Sequence, residues 1–138
     1  MFRAALLASL TTVIALTPLA ARADEPEYAV TVKTAPIARG QTGTLEVAFV
    51  AKGPWHWNAD FPAKLTLTAP EGLAVTKATL LQKDKDFATK DGKQVAGFEL
   101  KAASAVTAEG RIVGKVGFCD DKVCITKKID LPVQLVAK

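Results

Sequence analysis

The chain has 138 residues, of which 49% are apolar and 23% are charged. This length accommodates one domain, and the composition is that of a globular protein rather than a disordered one. The formal charge is only +4, and acidic and basic residues alternate, as in Lys83–Asp86. Because the basic residues form no stripe, composition and charge exclude a nucleic-acid-binding surface.

The first 23 residues have the pattern of a cleaved signal peptide. Arg3 supplies a positive start, residues 4–16 are uncharged and mostly apolar, and Ala21–Ala23 forms an A-x-A cleavage site. An uncleaved membrane anchor is the alternative, but threonines and a proline interrupt the apolar run. We therefore predict a signal peptide over residues 1–23 and a mature domain over residues 24–138, periplasmic or secreted, with a formal charge of +2.

The mature sequence has the pattern of short β-strands with turn residues about every ten positions, which is typical of a sandwich or barrel. Apolar and polar side chains alternate along the strands, most regularly in the last one, where Pro132 favours an edge position. The predicted strands are Tyr28–Thr34, Thr44–Val50, Lys64–Thr68, Leu73–Leu80, Gln94–Lys101, Arg111–Phe118 and Lys128–Leu135. Without internal repeats or βαβ spacing, they predict an all-β, antiparallel two-sheet sandwich.

Residues Gln82–Lys93 depart from the strand pattern. They contain alternating lysines and aspartates, one glycine and a single large apolar residue, Phe87. We predict a solvated loop that carries an aromatic side chain. A phenylalanine in such a loop ordinarily packs at the margin of the core.

Cys119 and Cys124 are the only cysteines, and they lie between the last two predicted strands. If these strands form a hairpin, the two Cα atoms lie about 4.5 to 5.5 Å apart, a distance at which a disulfide can form. Export favours its persistence. So short a ring stabilises a fold by only about 2 kcal/mol, and a disulfide at a rim is open to exchange. The pair is therefore either redox-active or a structural bridge that pins the hairpin.

The charges next to the cysteines modulate their reactivity. Asp120 and Asp121 disfavour a thiolate at Cys119, and Lys122 offsets this in part. The pair is not CxxC, and no helix begins beneath it to lower a thiol pKa. We expect these thiols to react when a docked partner presents its own activated cysteine.

The single histidine, His56, lies between Trp55 and Trp57. In a strand the two indoles share one face and the imidazole points to the other. Packing is the favoured role for the tryptophans, over a carbohydrate or peptide platform. With so few potential ligands, we expect no metal and no other cofactor, and no Ser-His-Asp set can be assembled.

Three groups of residues together resemble a known family. They are Trp55–Asn58 followed by Pro62, Asp86 with Phe87, and Val116–Asp120 with Cys124 before a terminal strand. The order and spacing of these groups resemble those of the N-terminal periplasmic domain of the thiol:disulfide interchange protein DsbD, an immunoglobulin-like sandwich. The resemblance extends from about Tyr28 to Val136.

The resemblance implies specific roles. Cys119 and Cys124 would be the redox pair, with Cys124 bonding to the partner and Cys119 resolving that bond. Phe87 would belong to a cap loop that shields the disulfide, and Asp86 beside it would be a nearby modulator of the cysteines. The sequence departs from the family at Ala88, where a tyrosine is common, and after the second cysteine, where an aromatic residue and a proline are common.

The sequence therefore predicts a periplasmic thiol:disulfide interchange domain. Its expected partners are separate periplasmic thioredoxin-like proteins or membrane electron carriers, with no nucleic acid among them. The alternative is a non-catalytic, secreted immunoglobulin-like binding or assembly module whose disulfide only braces a hairpin. The sequence makes no prediction for the oligomeric state.

Overall fold

The computed structural model describes residues 26–138, so the predicted signal peptide at residues 1–23 lies outside the described residues. The described part contains ten strands and one 3-10 turn. They are β1 (Tyr28–Lys33), β2 (Thr42–Ala51), β3 (His56–Trp57), β4 (Lys64–Thr68), β5 (Leu73–Val75), β6 (Thr79–Leu81), the turn Gln82–Asp84, β7 (Phe87–Lys90), β8 (Lys93–Ala102), β9 (Val106–Cys119) and β10 (Cys124–Ala137). Over residues 26–138, no helix has the length and apolar character needed to cross a bilayer.

The strands form two antiparallel sheets packed face to face. In the first, β1, β2 and β8 are neighbours, and β5 and β7 both pair with β8. In the second, the order is β10, β9, β4, β6, and β3 also pairs with β9. This division of strands between sheets is that of an immunoglobulin-like β-sandwich, which confirms the predicted fold class.

The core consists of the inward-facing residues of both sheets. Phe49, Phe98 and Phe118 are its largest fully buried side chains. Ile112, Val116 and Phe118 share the inward face of β9, and all three are completely buried. Burial of side chains of this size contributes about 1.5 to 3 kcal/mol each to the stability of the fold. The alternation along the strands places these side chains on one face of each sheet, and their burial between the faces accounts for the sandwich.

The predicted strand Leu73–Leu80 is wrong, because the chain changes sheets within it. The Thr76 N–H donates to the Glu99 carbonyl of β8, 3.0 Å away, whereas the Ala78 carbonyl accepts from the Leu67 N–H, 2.9 Å away. The segment therefore divides into β5 in the first sheet and β6 in the second. Its two ends are both buried, so an apolar pattern does not reveal the crossing.

The predicted loop Gln82–Lys93 is also wrong, because most of it is ordered as a β-hairpin. Strand β7 pairs with β8 across the two-residue turn formed by Asp91 and Gly92. Both turn residues have positive φ, 50° and 73°, which suits an Asp-Gly hairpin turn. The last three residues of β7, residues 88–90, are exposed and only Phe87 is buried, so the segment lacks the apolar alternation that predicts a strand.

The last two strands form a long hairpin at the edge of the second sheet. Their register runs from Cys119 opposite Cys124 to Val106 opposite Ala137. Strand β10 is the edge strand, which confirms the position predicted from Pro132. The closed end of this hairpin carries both cysteines.

Candidate functional site

The turn between β9 and β10 is organised by Asp120. Its N–H donates to the Val123 carbonyl at 2.9 Å, and its Oδ1 accepts from the N–H groups of Lys122 at 2.8 Å and Val123 at 2.7 Å. These bonds make Asp120 and Val123 a hydrogen-bonded pair of the ladder. The next pair, Cys119 and Cys124, is then a non-hydrogen-bonded pair, in which the strands approach most closely.

Cys119 and Cys124 are joined in a disulfide, with their Cα atoms 4.0 Å apart. Phe118 points into the core, so its neighbour Cys119 lies on the outward face of the second sheet, as Gly117 does. The disulfide therefore lies on the outer surface at one end of the sandwich.

The two sulfur-bearing residues differ in exposure. Cys119 is buried, with 8% of its surface accessible, whereas Cys124 is exposed. Val123, beside Cys124, is 54% exposed and is one of two large apolar residues that are exposed in the described part of the chain. Cys124 is therefore the more solvent-accessible residue of the pair.

The turn holds its acidic residues close to the disulfide. The pKa of Asp120 is lowered by the N–H groups of Val123 and Lys122, and to a smaller extent by the charge of His56. Its carboxylate therefore remains ionised beside Cys119, where it disfavours a second negative charge. Asp121 and Lys122 are exposed at the tip of the turn.

Asp86 makes its contacts elsewhere in the fold. Its Oδ2 accepts from the Leu81 N–H at 2.8 Å and from Lys77 Nζ at 2.6 Å. These contacts fix the chain between β6 and β7. The hydrogen bonds of Lys77 to Asp86 and to Asp84 raise the pKa of Lys77. Within residues 26–138, no hydrogen bond or ion pair links Asp86 to the cysteines, so its modulating role stays a prediction.

Phe87 is a buried strand residue. Its exposed fraction is 6%, and its ring centroid lies 5.4 Å from that of Trp57. Trp57 in turn contacts Phe118 edge-on, at 5.6 Å, and Phe118 precedes Cys119. The structure thus places Phe87 in the core, where it contacts the Trp57 ring, and the shielding role remains a prediction.

His56 has a position that the sequence did not predict. It lies directly opposite Cys119 on the side of β9 away from Cys124, and it is exposed. His56, Cys119 and Cys124 therefore form a row across three strands on the outward face. The alternation of His56 with two tryptophans predicts an outward imidazole, but only the pairing of β3 with β9 shows what lies beside it.

A groove of about 670 Å³ crosses the same outward face. Its apolar lining includes Phe61, Pro62 and Val113, and lysines line it as well. Phe61 also lies against Gly117, two residues before Cys119. Phe61 therefore connects the lining of the groove with the part of β9 that precedes Cys119.

The described residues do not form a metal-binding cluster. Among residues 26–138, no three histidine, cysteine, aspartate or glutamate side chains are grouped so as to hold an ion. The chemistry that the site offers is that of the disulfide, one imidazole and the charges of the turn.

No family model matches the chain, and no curated protein sequence matches it. Among solved structures, the chain is similar to a conjugative transposon lipoprotein from Bacteroides eggerthii, with a TM-score of 0.40 and 14% identity over 78% of this chain and 98% of that one. It is also similar to PapD-like domain 7 of human CEP192, with a TM-score of 0.38 and 11% identity over 92% and 99% of the chains.

The CooA pilin subunit from enterotoxigenic Escherichia coli has a TM-score of 0.31 and 8% identity over 82% of this chain and 99% of that one. These are distant similarities of β-sandwich architecture at low sequence identity. They assign no function to the site.

Proposed function

We propose that this chain is an extracytoplasmic thiol:disulfide interchange domain of the type found at the N-terminus of DsbD. It exchanges electrons with partner proteins through Cys119 and Cys124. The observation that carries the proposal is the outward-facing disulfide, of which Cys124 is exposed and Cys119 is buried.

The position of the disulfide suits exchange better than stabilisation. It joins residues that the hairpin already holds opposite each other, and the ring it closes is worth about 2 kcal/mol in the chain-entropy treatment. A structural disulfide in this fold commonly connects the two sheets through the core. Here both cysteines belong to the same sheet, and one of them is accessible to a partner.

The difference in exposure supports the following order of steps. A partner thiolate attacks Cys124 Sγ and forms a mixed disulfide, while the bond between Cys124 and Cys119 breaks and its electron pair leaves on Cys119. The partner's second thiolate then attacks the partner sulfur that is bonded to Cys124, and Cys124 is released as a thiolate. Two electrons and two protons pass to this domain, and the partner dithiol becomes a disulfide. In the opposite direction, Cys119 resolves the mixed disulfide.

The partners of this reaction would be thioredoxin-like proteins or membrane electron carriers. Each supplies or accepts a dithiol, so the domain itself requires no cofactor for the exchange. The groove beside Phe61 offers an apolar surface on which such a protein could dock close to the disulfide.

A non-catalytic binding or assembly module is the second candidate. It is favoured by the apolar groove together with the exposure of Val113, 39%, and Val123, 54%. In that case a protein partner binds the outward face, and the disulfide only braces the hairpin beneath it.

The reduction potential of the disulfide distinguishes the two functions. We expect a value near those of exchange catalysts, well above about −300 mV. Equilibration of the purified protein with glutathione buffers, followed by quantification of free thiols, gives this value. A potential below about −300 mV would contradict interchange and favour the structural module.

Trapping provides an independent test of the exposed sulfur. A Cys119→Ser variant retains Cys124 and should accumulate mixed disulfides with envelope proteins, visible on non-reducing gels. The matched Cys124→Ser variant retains only the buried cysteine and should accumulate much less. Equal or absent adducts in the two variants would contradict the assigned order.

A further inference from the structure

The register of β3 places an imidazole beside the sulfur that leaves when the disulfide opens. His56 is the ladder partner of Cys119, and the Asn58 N–H donates to the Gly117 carbonyl at 2.9 Å, which extends this pairing. Residues directly opposite each other project from the same face, with Cβ atoms about 4.5 to 5.5 Å apart. The two side chains are thus neighbours on one face, and proton transfer between them requires a direct hydrogen bond or one intervening water.

The imidazole is available for this contact. Trp57 packs with the core aromatics, so His56 faces outward, and it is exposed. In the described part of the chain neither ring nitrogen of His56 forms a hydrogen bond. No hydrogen bond within the described residues therefore fixes the orientation of the imidazole ring.

The charged groups around His56 belong to the turn, to the outward faces of the neighbouring strands and to the β7–β8 hairpin, whose Gly92, between Asp91 and Lys93, lines a cavity together with His56. The turn carries Asp120, Asp121 and Lys122, and Oδ1 of Asp120 is occupied by two backbone N–H groups. Farther along the sheet, Lys115 and Lys128 lie opposite each other. The negative charge nearest to Cys119 along the chain is thus Asp120, which opposes formation of a thiolate there.

We propose that His56 donates a proton to Cys119 Sγ when the disulfide is opened, an inference that rests on the proposed interchange function. The partner thiolate bonds to Cys124 Sγ, the bond to Cys119 breaks, and the electron pair on Cys119 takes the proton of the imidazolium. The neutral ring then recovers a proton from water. In the reverse direction, the neutral imidazole accepts the proton of the Cys119 thiol, which then attacks the mixed disulfide.

This role resolves a difficulty in the site. A leaving thiolate beside an acidic turn is unfavourable, and neutralising it as it forms lowers the barrier. Histidine is the side chain type that most readily donates and accepts protons near neutral pH. The contribution of His56 to the lowered pKa of Asp120 supports its closeness to the turn.

Reduction by dithiothreitol tests the role without knowledge of the natural partner. Rates are measured for the purified protein between about pH 5 and pH 9, the range in which histidine titrates, and are corrected for the thiolate fraction of the reagent. The corrected rate of the wild type should rise toward the acidic end of this range. His56→Gln should abolish this pH step and lower the corrected rate at the acidic end by about tenfold.

Two further variants separate proton transfer from other effects. His56→Lys places at this position a cation that does not titrate in this range. It should therefore change the pH dependence of the rate, although the positive charge is retained. Thr126→Gln introduces the same amide on the exposed, outward side of β10 and should leave rate and profile unchanged. Urea unfolding of all variants confirms that the exposed substitutions preserve the fold.

A His56→Gln rate and pH profile equal to those of the wild type would overturn the inference. That outcome is distinct from failure of the proposed function. If the reduction potential is that of an exchange catalyst and the profile is unchanged, only the role of His56 is wrong. If the potential is that of a reduction-resistant structural disulfide, the interchange function itself is wrong.

Discussion

The ring of Phe61 lies against Gly117 so closely that a Cβ atom on the glycine would be 2.6 Å from Phe61 Cγ. Gly117 faces outward on β9, two residues before Cys119. The absence of a side chain at this position thus lets Phe61 lie flat on the sheet between the groove and the disulfide.

Gly117→Ala should therefore destabilise the protein. Phe61 must move to admit the new methyl group, and overpacking of this kind typically costs about 1 to 3 kcal/mol. Urea unfolding measures the loss. Gly97→Ala is the matched control, since its Cβ would meet only Thr44 Cγ2, at 3.3 Å, and should cost less. Equal losses in the two variants would contradict the importance of the Phe61 contact.

The two cysteines of the reduced protein should react at different rates. Cys124 is exposed and Cys119 is buried, so iodoacetamide should modify Cys124 faster by about tenfold or more. Peptide mapping after short reaction times distinguishes the two products. In urea the difference should disappear, and equal rates in the folded protein would show that the burial of Cys119 does not protect it.

Phe87→Ala separates packing from shielding. Removal of this buried ring should cost about 3 to 5 kcal/mol of stability, measured by urea unfolding, because its contact with Trp57 is lost. If Phe87 also shields the disulfide, reduction by dithiothreitol should accelerate as well. Phe98→Ala is the control, since it also removes a buried phenylalanine ring. Equal reduction rates in both variants would mean that Phe87 only packs.

Asp120 should make stability depend on pH in the acidic range. Its pKa lies below the ordinary value of 3.8 because Val123 and Lys122 donate backbone hydrogen bonds to its carboxylate. A lowered folded pKa stabilises the protein above the unfolded value, and this contribution is lost as the pH falls through the folded one. Asp120→Asn should therefore be less stable than the wild type above about pH 5 and should converge with it in stronger acid.

Urea unfolding across this pH range measures the effect. Asp121→Asn is the matched control, because this neighbouring carboxylate is exposed at the tip of the turn and should change the pH dependence little. If the Asp120 and Asp121 variants behave alike, the hydrogen bonds within the turn do not account for the stabilisation.

Most of the fold could be predicted from short-range patterns. The alternation in Thr44–Val50 and Lys128–Leu135 is a local consequence of the β-strand period, and it indicates which side chains are buried whatever the pairing. Cys119 and Cys124 are close in the chain, so a single hairpin suffices to bring them together. Pro132 likewise determines an edge position by itself, because it lacks the N–H that a central strand needs.

The tertiary structure alone decided the remaining features. Leu73 and Leu80 are both apolar and buried, yet they belong to different sheets, because the crossing between them depends on hydrogen bonds to distant strands. Neither the pairing of His56 with Cys119 nor the difference in exposure between the two cysteines has a local signal. The sequence by itself determined most of the strands and the presence of a closely spaced cysteine pair, since those depend on neighbouring residues. What surrounds the pair depends on which strands meet, and that is settled only when the two sheets pack.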